Sequence, residues 1–108
     1  MANTRTVNFT YELTPVAVAV KKITVSSTAG TLETLGSFTF AANTKIVRIA
    51  VESNPVRVDP SGNTPDASTG IPYAANALID ISVNEAKMGK WIRSGASDAT
   101  FQVVQYTY

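Results

Sequence analysis

Residues 55–83 read P-V-R-V-D-P-S-G-N-T-P-D-A-S-T-G-I-P-Y-A-A-N-A-L-I-D-I-S-V, and this stretch decides the fold. Val56 and Val58 alternate with Arg57, the period of a half-buried strand. Asp59-Pro60-Ser61-Gly62-Asn63 then supplies a turn: proline presets its own backbone angle, glycine tolerates positive φ, and Asp, Ser and Asn bond their own backbone. Small residues lead to Gly70-Ile71-Pro72, and a second alternating strand follows, ending Ile79-Asp80-Ile81. There is architecture at both ends and no nucleophile–base spacing or phosphate cradle between them.

The same pattern extends in both directions. Upstream, Lys45 to Ser53 is the clearest strand, with Val47, Ile49 and Val51 on one face and Arg48 and Glu52 on the other; Asn54-Pro55 closes it. Thr6 to Tyr11 alternates as a further strand. Val16 to Ser27 is rich in β-branched residues, but its apolar parity changes after Lys21-Lys22, which predicts a β-bulge at the lysines. Leu32 to Leu35 fits one helical turn or an edge strand, and Ser37 to Phe40 alternates like a strand. Downstream, Asn84 to Gly89 fits a helical turn or a β-turn, and Lys90 to Arg93 a short strand. Ala99 to Tyr108 is the last strand, apolar on both faces, so it is central in a sandwich or part of an interface.

Seven to nine short strands with turn signals every 8–12 residues predict an all-β fold, a single-domain antiparallel β-sandwich or jelly-roll-like small barrel spanning residues 1–108. The 108 residues suit one domain with one core. A hydrophobic fraction of 44% and a charged fraction of 16% argue against disorder. The longest aperiodic segment, Pro60 to Pro72, is a candidate contact loop.

The same composition excludes several functions. Net charge is +1, too small for electrostatic attraction to nucleic acid or membrane. The chain has no histidine and no cysteine, which removes the commonest general base, the thiol nucleophile, disulfides and thiolate metal sites. The carboxylates are scattered, with no pair placed to flank a glycosidic bond. No catalysis and no cofactor are expected. Asp59, Ser61 and Asn63 match the first ligand positions of a calcium loop, but Gly70 stands where the bidentate Glu is needed, so a plain turn is expected. The longest apolar run, Val16 to Val20, is far too short for a membrane span, and the first residues carry no secretory core. The absence of cysteine suits assembly in a reducing cytoplasm.

The remaining candidates are contact residues. Arg48 and Arg57 lie on outward positions of successive strands; if those strands pair, the guanidinium groups sit side by side and Glu52 or Asp80 neutralises them. Tyr73, Trp91, Tyr106 and Tyr108 are aromatic anchors of the kind enriched at protein interfaces. Trp91 and Tyr73 would make a sugar-stacking platform only if exposed together. Arg5, in an N-terminal arm from Ala2 to Arg5, completes the set.

The strand Val56-Arg57-Val58, the Ser61–Gly70 loop, Ile71-Pro72-Tyr73-Ala74-Ala75-Asn76-Ala77, Trp91-Ile92-Arg93, the turn from Ser94 to Thr100 and the final strand Phe101 to Tyr108 resemble small virion proteins of tailed bacteriophages. The resemblance covers Pro55 to Tyr108. It implies a capsid decoration or cement protein that binds between subunits of the major capsid protein, or a neck or tail component contacting other virion proteins, and a homo-oligomer, dimer or trimer, located in the virion. A carbohydrate-binding or adhesin-like module is the competing expectation.

Overall fold

The computed structural model describes residues 16–66 and 68–107. The strand expected at Thr6 to Tyr11 and the contact residues Arg5 and Tyr108 lie outside them. Eight strands are described: β1 (Val16–Val25), β2 (Gly30–Thr31), β3 (Ile46–Ser53), β4 (Val56–Asp59), β5 (Ile71–Tyr73), β6 (Leu78–Ser82), β7 (Lys90–Arg93) and β8 (Ala99–Thr107). Two short helices, α1 (Leu32–Gly36) and α2 (Val83–Met88), interrupt them. The strands form two antiparallel sheets rather than a closed barrel. Sheet A has the order β1-β8-β3-β6 and sheet B the order β2-β7-β4-β5.

Strand alternation builds the core. Ala99, Phe101, Val103 and Gln105 of β8 point inward and are buried, as are Val47, Ile49 and Val51 of β3. They meet Val56 and Val58 of β4 and Trp91 of β7 across the sandwich, with Ile23, Val25, Leu32 and Phe40 filling one cluster. Trp91 stacks edge-on against Phe101, with ring centroids 5.3 Å apart, a favourable aromatic geometry. β8 is central in sheet A, between β1 and β3, which accounts for its length and its apolar content.

Helix ends follow local chemistry. The Thr31 hydroxyl accepts from the Thr34 N–H at 3.3 Å, and the Ser82 hydroxyl accepts from the Glu85 N–H at 3.2 Å. Each satisfies a backbone donor that a helix start leaves unpaired. Between them, Ser82 and Glu85 have the spacing of a capping box.

Two expectations are corrected, and one condition is not met. The bulge falls between Ala17 and Ala19, not at the lysines, because Lys21 and Lys22 keep regular partners in Val103 and Gln102. Val16, Val18 and Val20 are all exposed, so that half of β1 has no inner face to preserve. Ser37 to Phe40 is not a strand. Ser37 adopts a left-handed φ of 53° that ends α1, and the Phe40 N–H then donates to the Glu33 carboxylate at 2.9 Å. Phe38 and Phe40 pack edge to face instead of alternating. Finally, β3 and β4 do not pair: the chain crosses from sheet A to sheet B at Asn54, whose φ is 64°. Arg48 and Arg57 therefore lie on different sheets.

Candidate contact surface

The outward face of sheet A is built from positions alternate to the core. Pairing registers lay Val20, Val104, Arg48 and Asp80 across the four strands in one row. Lys22, Gln102, Ala50 and Leu78 form the next row on one side, and Ala17, Tyr106, Ile46 and Ser82 the row on the other. Val20 is 64% and Leu78 61% exposed, so two large apolar side chains stand in solvent on one face.

Arg48 occupies the middle of that face. Its Nε donates to Asp80 Oδ1 at 2.8 Å and its Nη2 to Asp80 Oδ2 at 3.0 Å, a bidentate pair. The guanidinium also lies 5.7 Å from the centre of the Tyr106 ring, within cation–π range. Ile46, Arg48, Asp80 and Tyr106 line an open depression of about 310 Å³. Two of the sequence-identified residues, Arg48 and Tyr106, are thus brought together, and Asp80 is the neutralising acid expected for Arg48.

The others are dispersed. Arg57, on sheet B, donates from Nη1 to the Gly70 carbonyl at 2.9 Å and so anchors the end of the 60–70 loop. Gly70 has φ of 118°, and a Cβ there would stand 3.0 Å from the Val58 carbonyl, so only glycine lets the loop return this close to β4. Trp91 is a correction: it is 1% exposed and belongs to the core, so it is not a contact residue. Tyr73 stacks on it at 6.3 Å and is half-buried. The pair therefore forms no exposed platform for a sugar ring. Between β5 and β6 the sandwich has a narrow cleft of about 20 Å³, bordered by Ile71, Tyr73, Ile79, Ile81, Glu85 and Trp91, room for no more than a water-sized group. The Trp91 Nε1 has no hydrogen-bond partner among the described residues.

Asp59 and Asp66 serve their own turns. Asp59 Oδ1 accepts from the Ser61 N–H and hydroxyl, and Asp66 Oδ1 from the Ser68 N–H and hydroxyl. These bonds to the charged form hold both carboxyls below the usual range, as the Arg48 hydrogen bonds do for Asp80. A carboxylate depressed in the native state adds stability above its unfolded pKa and loses it as pH falls through the native value. With no histidine in the chain, no side chain of ordinary pKa titrates between about pH 5 and pH 8. Thermal melts are therefore expected to give a flat Tm from about pH 8 to 5 and a falling one below about pH 4. Asp80→Asn should make that acid limb shallower. A Tm that falls between pH 7 and 5 would contradict this assignment.

Sequence reasoning missed Gln105. It sits on the inward parity of β8, 4% exposed. Its Oε1 accepts from the Ala41 N–H and from the Thr44 hydroxyl, both at 2.8 Å. A glutamine among inward-facing Ala99, Phe101 and Val103 was the available signal.

No protein-family model, curated protein or solved structure matches the chain.

Proposed function

We propose that this chain is a non-enzymatic structural protein of a bacteriophage particle, a decoration or cement protein that stabilises the head by binding between major capsid subunits. The outer face of sheet A carries the reading. It is a partly apolar surface with a bidentate ion pair and a tyrosine at its centre, the mixture that anchors protein interfaces. The likeness of residues 55–108 to small virion proteins supplies the context.

Binding on this reading is a matter of area and pre-organisation. Four strands spaced about 4.8 Å apart and about five residues long present a face of roughly 300 Å². That is less than the roughly 800 Å² per partner of a stable protein complex. One copy on one face would bind weakly. Several linked copies, each seated on its own capsid subunit, would gain the effective concentration that makes weak contacts durable.

The test is co-sedimentation of the purified protein with heads that lack it, beside isolated tails as a second target. Saturable, stoichiometric pelleting with heads is expected. Pelleting with tails alone would transfer the assignment to a neck or tail component, and pelleting with neither would overturn it.

A further inference from the structure

Sheet A ends in two edges of opposite character. β1 pairs only with β8, and β6 only with β3, among the described residues. An unpaired strand edge is a template for another strand. The β1 edge carries Lys21 and Lys22; the β6 edge carries Asp80, and Glu85 follows at the start of α2. Because the sheet has four antiparallel strands, β1 and β6 run in opposite directions. A second copy moved sideways along the sheet therefore presents β1 antiparallel to β6 without being turned over.

We infer that copies of this chain join head to tail, the β1 edge of one adding to the β6 edge of the next. The register follows from length, face and charge. β6 has five residues, and beyond the bulge β1 offers a regular stretch from Val20 to Thr24. Setting Lys22 opposite Asp80 of the neighbouring copy pairs Val20 with Ser82 and Thr24 with Leu78, every partner on the matching face of the sheet. Lys22 then meets Asp80 on the outer face. Arg48 holds that carboxylate through one lone pair on each oxygen, and the remaining lone pairs stay open to a second donor. On the inner side Lys21 lies beside Ile81, next to Glu85, which shares the cleft with it.

The alternatives are electrostatically worse. Two β1 edges paired over their full length gather four ammonium groups at the centre. Two β6 edges set the Asp80 carboxylates of the two copies against each other, with Glu85 and Lys87 of each beyond the strand on α2. Only the unlike edges attract, so charge selects the head-to-tail contact over both two-fold ones. Head-to-tail contacts close into rings when the rotation between copies allows it and otherwise run on as filaments. This assembly deepens the proposed structural role but is read on purified protein without capsids, so its failure and a failure of capsid binding are separate results.

The natural chain has no cysteine, which makes disulfide trapping clean. Within one chain, positions 22 and 80 lie three strand spacings apart and two residues out of row, about 16 Å, too far for a disulfide. Lys22→Cys with Asp80→Cys should cross-link mildly oxidised protein between chains on denaturing gels, about ten-fold faster than either single variant, since only paired edges bring the two Cα atoms within reach. Thr24→Cys with Leu78→Cys probes the same register, leaves the charges intact and should behave alike. Rapid cross-linking of Lys22→Cys alone or Asp80→Cys alone would show like edges pairing and overturn the inference. So would the absence of interchain cross-links in both double variants.

Discussion

Phe101→Ala should cost about 3–5 kcal/mol of folding stability, measured as the midpoint shift in urea, whereas Val104→Ala should cost less than about 1 kcal/mol. The two residues are three apart on one strand but on opposite faces of sheet A. Phe101 is fully buried, packs on Trp91 and sits in register with Ile23 and Val51. Truncation leaves a cavity among residues of both sheets that already fill the core. Val104 stands on the outer face between Val20 and Arg48, and its truncation opens no enclosed space. A domain of this size holds only about 5–15 kcal/mol in total, so Phe101→Ala removes a large share. Similar costs for the two variants would mean that β8 is buried on both faces and that the outer face of sheet A is not a free surface.

Gln105→Leu is the second large effect, and its sign runs against hydrophobic intuition. Leucine is the more apolar residue and fits an inward position. It would nonetheless leave the Ala41 N–H and the Thr44 hydroxyl without the acceptor they share. Thr44 is 3% exposed, so water does not readily replace the bond. Each unsatisfied donor costs about 1–3 kcal/mol, giving a loss of roughly 2–6 kcal/mol against a small gain from apolar burial. Gln105→Glu keeps an acceptor in place and should be better tolerated than leucine at neutral pH. A stabilised Gln105→Leu would show that the 41–44 turn is not held by this side chain.

Much of the sandwich was legible because alternation is a direct imprint of a face. Val47, Ile49 and Val51 gave the inner side of β3, and the same parity gave Arg48 its outward position. Turn chemistry was legible too, since Asp59 and Asp66 are followed two residues later by serines that their carboxylates bond. Sheet membership was not. Nothing between Ser53 and Val56 says that the chain changes sheets, so the condition under which Arg48 and Arg57 would sit side by side, pairing of their two strands, is not met. Parity alone also cannot separate a strand covered by the opposite sheet from one that projects past it. Val16, Val18 and Val20 look like a core face in sequence and are exposed because the core begins only at Ile23. Trp91 shows the converse: its residue type suggests an anchor, and its place on β7 opposite Phe101 makes it core.

The candidate contact surface was half legible. Arg48 and Asp80 are 32 residues apart, joined only by the register of β3 with β6, and Tyr106 reaches them only because β8 lies on the other side of β3. Strand order, which no local pattern encodes, creates the site.

The most direct measurement compares head binding of the wild-type protein with that of a variant carrying Arg48→Ala and Tyr106→Ala, alongside their melting temperatures. Removing two central anchors is expected to weaken binding by about 30-fold or more, the scale of one interface hot spot, while Tm changes little. Undiminished binding by the variant, at an unchanged Tm, would contradict the assignment of the outer face of sheet A as the surface that meets the capsid.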